Sequence, residues 1–378
     1  MNIAFIIGHL PESADGAISG QKRTAINLIQ NFKRNYPHKI VIFGLDKSSN
    51  ILFTLFSFKN KNTFVRDLLV IRTGLINLII SSLKYDFVIN TTHVFFSSLS
   101  ILLKKLLLKK TSVLHLSPGL LFKERMIAGN EPGKPGLFAV WLEKFTFCYA
   151  DSIITTSHLA GEEIKNWVKT ANVKVIQFGV DLKAFSHINN SKKQQANSGQ
   201  KIKIMSVASF YRIKGLDLLL RALENVDESC ELLIAGDGLE SYKNELLNFI
   251  HNSPKLNKHQ IKFLGQISSK ELAEIYKNVD LYIQPSRFDV FPNAVLEAMH
   301  IGLPIILTEG VGSNSMFGSQ TNGIICTKIN SEDIAEKINQ ILLYKEELKL
   351  MGDRNKNIIK ETSWEKIIND LIDSVCEY

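Results

Sequence analysis

The sequence predicts two doubly wound α/β domains in tandem, each a parallel sheet flanked by helices. Three observations lead there. At 378 residues with 45% hydrophobic composition, the chain exceeds the size at which one core usually splits into two. Short apolar runs rich in β-branched residues alternate with amphipathic segments from end to end, the pattern of βαβ units. One polar stretch, SHINNSKKQQANSGQ at residues 186–200, interrupts the pattern and is too poor in apolar residues to pack.

In the first series, strands are expected at residues 3–7, 40–43, 87–89, 112–115, 152–155 and 174–176, with helices at 23–35 and 144–149 among the segments between them. After the polar stretch, strands are expected at 202–206, 231–235, 261–263, 281–284 and 305–307, with helices at 215–223 and 269–276. The expected division is therefore an N-terminal domain over 1–185, a linker over 186–200, and a second domain over 201–362. The last segment, SWEKIINDLIDSV, opens with Ser363 as an N-cap and carries a helical apolar stripe. It closes the second domain or crosses back to the first.

Composition narrows the function classes. Four scattered cysteines, Cys148, Cys230, Cys326 and Cys376, show neither C-x-x-C nor Cys/His spacing, so neither a zinc site nor a disulfide framework is indicated, and a reducing cytoplasm fits. The opening MNIAFIIGHLPES lacks a basic n-region and reads as a first strand. The longest apolar stretches are interrupted by Arg66, Asp67, Arg72, Lys104 and Lys105, which a bilayer core resists. Charge is uneven: residues 1–190 hold 23 Lys+Arg against 12 Asp+Glu, and the remainder 22 against 25. An anionic partner is expected for the basic half, whose segment ILLKKLLLKK, residues 101–110, has the content of a helix that rests on acidic lipid. A solvated lysine face is the plainer reading of the same segment.

The chemistry concentrates in QPSRFDVFPNAVLEAMHIGLPIILTEG, residues 284–310. A strand ends at Pro285, a loop carries Arg287 and Asp289, and a helix begins near Pro292 and Asn293. Asp289 thus precedes a helix N-terminus and Glu297 lies about a turn inside it. The free amides of that first turn suit a phosphate held between two carboxylates. A carboxylate there grips sugar hydroxyls by charge-assisted hydrogen bonds. As isolated features, two acids near a helix start are also what the macrodipole alone favours.

This stretch resembles the signature of glycosyltransferase family 4, matching at Pro285, Ser286, Phe291, Pro292, Asn293, Leu296, Glu297, Ala298, Met299, Gly302 and Pro304. The resemblance implies a GT-B architecture, two Rossmann-like doubly wound domains facing a central cleft, and sugar transfer from a nucleotide sugar with retention of configuration. It assigns Asp289 to the transferred sugar, Glu297 to the nucleotide ribose, and the 290–295 stretch, Val290, Phe291, Pro292, Asn293, Ala294 and Val295, to donor contact. Asp289 stands where the family usually has Glu, and Val290 where it usually has Gly. SVASFYRIKG, residues 206–215, is similar to the family loop whose arginine and lysine neutralise the donor diphosphate. Lys214 matches the lysine, Ser209 stands at the arginine position, and Arg212 is the candidate replacement. A departing diphosphate needs such preorganised positive charge.

The resemblance extends further. LLIAGDGLESYKNEL and IKFLGQISSKELAEIYKNVDLYIQPS resemble loops near the base, making Gly238 and Gln266 donor contacts; SGQKRTAINLI resembles the loop entering the first helix, making Gly20 a diphosphate contact. His115, ending the strand SVLH, falls where the family often has a histidine near the transferred sugar. His93 and Glu124 are acceptor-side candidates. A structural histidine and an exposed loop acid are the plainer readings.

The expected function is therefore a metal-independent retaining hexosyltransferase, with no cofactor and a uridine diphosphate sugar as the expected donor. The acceptor expected is a glycan or lipid-linked molecule of bacterial surface polysaccharide or lipopolysaccharide synthesis. The expected place is the cytoplasm or the inner face of the membrane, with no nucleic acid as partner. The first rival is a non-catalytic donor-binding or partner subunit of the same fold, motivated by Ser209 and Asp289. The second, a nicotinamide-dependent oxidoreductase, needs G-x-G-x-x-G after an early strand, and neither IAFIIGHLPES nor KIMSVASFYRIKG supplies it.

Overall fold

The structure, a computed structural model, describes residues 2–8, 20–35, 40–46, 55–91, 93–129, 131–177, 185, 201–314, 323–344, 347–360 and 364–376. The expected linker at 186–200 and the Ser363 cap lie outside the described residues. Two compact units emerge. The first comprises Met1–Phe122, Pro135–Gly179 and Ser363–Tyr378; the second comprises Lys123–Lys134 and Val180–Thr362.

In chain order, the first unit contains β1 (Ile3–Gly8), α1 (Gly20–Asn35), β2 (Ile40–Leu45), β3 (Lys61–Val65), β4 (Leu68–Thr73), α2 (Leu75–Ser82), β5 (Phe87–Asn90), α3 (Val94–Leu106), β6 (Ser112–Ser117), α4 (Leu121–Ala128), α5 (Leu137–Tyr149), β7 (Ser152–Thr155), α6 (His158–Trp167) and β8 (Val173–Val175). From Lys123 onward, α4 belongs to the second unit. Eight strands form a sheet in the order β3-β4-β2-β1-β5-β6-β7-β8, parallel except for the β3–β4 pair. The order reverses at β1, which pairs with β2 on one side and β5 on the other.

The antiparallel β3–β4 edge is absent from the sequence reading. Its two-residue turn, Arg66-Asp67, holds both residues at positive φ (47° and 66°), as a tight hairpin requires, without the Asn-Gly or Gly signal that would announce it. Inside it, Arg72 is buried and donates to Thr63 Oγ1 at 2.7 Å.

The second unit contains β9 (Ile202–Val207), α7 (Leu216–Leu223), β10 (Cys230–Ala235), α8 (Glu240–Asn252), β11 (Gln260–Gly265), α9 (Ser269–Tyr276), β12 (Leu281–Gln284), α10 (Asn293–Ile301), β13 (Ile305–Thr308), β14 (Ile324–Thr327), α11 (Ser331–Leu343) and α12 (Glu347–Lys360). Its six strands run in the order β11-β10-β9-β12-β13-β14, all parallel, with the reversal at β9. Strands buried on both faces explain the near-continuous apolar runs that revealed them. The edge strand β14 was not read from the sequence.

The final helix, α13 (Trp364–Cys376), packs with the first unit: Ile367, Ile368, Leu371 and Ile372 join Ile26, Ile29 and Phe32 of α1 in one buried cluster. The expected basic helix over 101–110 is corrected. Helix α3 ends at Leu106, and Leu108 adopts φ +49°, so Lys109 and Lys110 lie beyond the helix.

Candidate active site

In an open parallel sheet, ligands collect beyond the carboxyl ends of the two strands flanking the reversal. In the second unit those strands are β9 and β12, and the loops that follow them bring the sequence candidates together. The β9 loop closes in a turn, Arg212–Lys214, and the β12 loop carries Arg287 and Asp289 to the start of α10. Lys214 Nζ donates to Asp289 Oδ2 at 2.5 Å, with both side chains largely enclosed. Two residues 75 apart in sequence, selected separately, therefore meet in one charge pair.

Backbone bonds fasten the β12 loop to the β9 loop and to the segment after β13. Arg287 N donates to Ile213 O at 2.8 Å, while Asp289 N donates to Gly310 O and Gly312 N to Asp289 O at 2.9 and 2.8 Å. Gly215 sits at φ +69°, and a Cβ there would come 1.9 Å from the Pro285 carbonyl oxygen, so only glycine lets the loops close this far.

Beneath the pair lies a network the sequence reading did not find. Arg287 forks onto Asp217 through Nη1–Oδ1 and Nη2–Oδ2, each 2.7 Å, and Nη1 also donates to Arg212 O at 2.7 Å. Tyr242 donates to Asp217 Oδ1 at 2.7 Å. Burial raises the Asp217 carboxyl, but the bonds from Arg287 and Tyr242 outweigh it and hold its pKa below the ordinary value. The only sequence trace was Arg287's place in the loop, because Asp217 and Tyr242 lie on separate helices. Arg212, expected to stand in for the missing arginine at Ser209, is engaged elsewhere: its Nη2 donates to Glu245 Oε2 at 2.6 Å and its guanidinium lies over the Tyr242 ring.

Helix α10 begins at Asn293 after Pro292, without any side-chain cap and without an acid in its first turn. Its N-terminus is therefore left to backbone amides, although Val295 N already turns back to Pro292 O. Val290 and Val295 are buried, so of these two only the backbone is available to a ligand; Phe291, Pro292, Asn293 and Ala294 are half-buried. Glu297 is 4% exposed, and its charge helps raise the buried Tyr276 and Tyr282 phenols after burial itself. Below it, Tyr282 donates to Gln284 Oε1 at 2.6 Å and Gln284 Nε2 to Ser286 Oγ at 2.8 Å.

Gly238 faces Phe210 so closely that a Cβ would lie 2.6 Å from its nitrogen; the glycine locks the β10 loop against the β9 loop. Gln266 is exposed between β11 and α9. Glu124, in the α4 segment belonging to this unit, feels both members of the pair. Burial raises its carboxyl, Lys214 lowers it, Asp289 raises it, and the net shift is upward.

In the first unit, His115 pairs with Asn90, the last residue of β5, but does not end its own strand as the sequence suggested: β6 runs two residues further, to Ser117. His115 is buried and hydrogen-bonded through Nδ1 to Ser97 Oγ at 2.8 Å. Burial, then the neighbouring His93, lowers its pKa to about 3, so the ring is neutral around pH 7. Asn90, unmarked in the sequence, is buried with neither side-chain polar atom paired among the described residues. His93 is exposed at the start of α3. Gly20 is the first residue of α1, and the loop preceding it lies outside the described residues.

Residues 187–358 match the family described as glycosyl transferases group 1. The matched residues fall within the second unit. An uncharacterized glycosyltransferase of Methanocaldococcus jannaschii is 25% identical over 299 residues, covering 76% of this chain and 74% of the relative. A Campylobacter jejuni N,N'-diacetylbacillosaminyl-diphospho-undecaprenol alpha-1,3-N-acetylgalactosaminyltransferase is 25% identical over 222 residues, covering 57% of each chain. Among solved structures, Anabaena HepE in complex with UDP-glucose aligns over 100% of both chains with a TM-score of 0.72 at 15% identity. The two parallel-sheet, Rossmann-like units are the GT-B fold that such neighbours share.

Proposed function

We propose that the chain is a retaining glycosyltransferase of family 4 that moves a hexose-type sugar from a nucleoside diphosphate sugar, a UDP-sugar first among candidates, to a glycan or lipid-linked acceptor of bacterial surface polysaccharide synthesis. The observation that carries the donor site is the Lys214–Asp289 pair at the β9–β12 reversal, beside an α10 N-terminus without a side-chain cap. Lys214 and the α10 amides receive the diphosphate, Asp289 holds a hydroxyl of the sugar, and Glu297 the ribose. The charge growing on the departing diphosphate is met by these groups in place of a metal ion. Asp289 neutralises Lys214; donor binding exchanges that partner for phosphate and frees the carboxylate for the sugar.

As the glycosidic bond breaks, positive charge develops on the anomeric carbon, and the acceptor oxygen enters from the face the diphosphate leaves. The leaving phosphate takes the acceptor proton. His115, neutral and fixed by Ser97, serves as a hydrogen-bonding group toward sugar and not as a nucleophile. Glu124, its carboxyl raised by burial and subject to the charges of Lys214 and Asp289 within the same unit, is an acceptor-side candidate. The lipid-linked acceptor is supported by the named activity of the Campylobacter jejuni relative, and the uridine nucleotide by the ligand of the Anabaena structure.

The test is incubation with a panel of UDP- and GDP-sugars and polyprenyl-diphosphate-linked saccharides, with the product's anomeric configuration read by NMR. Transfer with the donor's configuration supports the reading. Inversion removes the retaining assignment. Donor binding without transfer to any acceptor, including water, favours the non-catalytic alternative that Ser209 and Asp289 motivate.

A further inference from the structure

Helices α3 and α5 lie side by side in the first unit: Ser98 Oγ bonds to Thr146 Oγ1 at 2.9 Å and to Leu142 O at 3.2 Å, and Thr146 Oγ1 donates to Val94 O. Their inward faces fill the core, but their outward faces are apolar too. On α5, Phe138, Trp141, Phe145 and Tyr149 recur at helical spacing and form a ladder, with successive ring centroids 6.0, 5.9 and 4.9 Å apart. Phe138, Trp141 and Tyr149 are 68%, 58% and 52% exposed. On α3, Phe95, Leu102 and Leu106 are also exposed, and half-buried Leu99, Leu103 and Phe145 border the same core. Large apolar side chains this exposed and this contiguous mark an interaction surface.

Its charge is one-sided. Lys105 Nζ lies 4.1 Å from the Tyr149 ring centre and so joins the two stripes, and Lys109 and Lys110 follow α3. The nearby acids are occupied: Asp151 is paired with Lys104, and Glu143 is buried, accepting from Leu121 N and Phe122 N. Stacked Trp, Tyr and Phe beside lysines suit the boundary between headgroups and acyl chains, where amphipathic rings and cations are both favoured.

The geometry points to the outer α3–α5 face as the surface by which this chain docks onto an anionic lipid bilayer, with the Phe138–Tyr149 ladder entering the interface and the Lys105, Lys109 and Lys110 ammoniums meeting the lipid phosphates. This goes beyond a general attraction of the basic half to acid, because it fixes which side chains enter. It takes from the proposed function only the expectation of a membrane-borne acceptor.

The test is flotation with vesicles of phosphatidylcholine and phosphatidylglycerol, and with phosphatidylcholine alone, alongside intrinsic fluorescence. The full-length protein floats with the anionic vesicles, its emission shifts to the blue, and Trp141→Phe removes most of that shift. Phe138→Ser combined with Trp141→Ser, and separately Lys109→Glu with Lys110→Glu, each lower the partition coefficient by roughly tenfold or more, with UDP binding unchanged as evidence of folding. Equal flotation of wild type and both variants overturns the inference. So does self-association in size-exclusion chromatography with light scattering that Trp141→Ser abolishes, because a second copy would then be what covers the face. Vesicle binding needs no sugar donor, so its failure leaves the Lys214–Asp289 reading standing.

Discussion

Removing the Arg287 fork should loosen the turn that presents Lys214. Arg287 donates two bonds to Asp217 and one to Arg212 O, all 2.7 Å, while its own amide holds Ile213 O. Charge-assisted bonds of this kind contribute about 1.5–3 kcal/mol each in isolation. Side-chain exposures of 23% and 13% and their shared geometry bring the total for Arg287→Ala to about 3 kcal/mol. For a unit of this size that corresponds to a fall in melting temperature of about 6–12 °C. Arg287→Lys keeps the charge but cannot reach both carboxylate oxygens and the carbonyl in one plane, and should cost about 1–2 kcal/mol. Displacing Lys214 by about an ångström lowers kcat roughly 10- to 100-fold. The loss falls mainly on kcat, because the lysine's charge remains to attract donor. Differential scanning calorimetry and initial rates with the preferred donor measure both. A double-mutant cycle with Lys214→Ala should be strongly non-additive in rate. If Arg287→Ala destabilises as stated but lowers rate by a factor simply additive with Lys214→Ala, the fork is structural only and the reasoning fails.

Gly215→Ala places a Cβ at φ +69° against the Pro285 carbonyl and should destabilise by about 2–4 kcal/mol, with weaker UDP binding; wild-type stability in urea denaturation would mean the loops are not closed as described. The His115 pKa of about 3 in the folded chain, against about 6.5 when unfolded, means that the unfolded state binds the extra proton. Its contribution to stability is full above pH 6.5 and is lost as pH falls toward 3, about 2 kcal/mol of it by pH 5. His115→Gln should flatten that part of the urea-midpoint pH profile, and an unchanged slope would contradict the buried neutral ring. Asp67→Gly should be neutral or stabilising by up to about 1 kcal/mol, since glycine adopts the +66° φ of the β3–β4 turn freely; clear destabilisation would show that the Asp67 side chain matters there.

The second unit was legible because its strands are largely buried on both faces, so β9, β10, β12 and β13 appear as apolar runs broken only by single polar residues such as Lys203 and Glu231. Asp289 and Glu297 could be placed around a helix start from the local chain pattern, whereas Lys214 was selected by the resemblance of its loop to the family's. The pairing of Lys214 with Asp289 is a tertiary fact set by the β9–β12 register, and sequence could name its members only separately. Arg287, Asp217 and Tyr242 escaped for the same reason, each being an ordinary charged or aromatic residue until folding brings three elements together. The β3–β4 hairpin was hidden by its Arg66-Asp67 turn, which lacks glycine. The α5 ladder was hidden because an aromatic stripe at helical spacing reads as core, and only its exposure shows otherwise. Arg212 was assigned to the diphosphate by proximity in sequence to Lys214, whereas Glu245, 33 residues on, receives its guanidinium.

The central claim is that a nucleoside diphosphate sits at the β9–β12 reversal, held by Lys214 and by the α10 N-terminus beneath which Glu297 is buried. Isothermal titration of UDP into wild type, Lys214→Ala and Glu297→Gln tests it most directly. The account predicts saturable binding by the wild type and a loss of at least roughly tenfold in affinity in each variant, from one charge-assisted bond apiece. Equal affinity in all three proteins would place the nucleotide elsewhere and contradict the account.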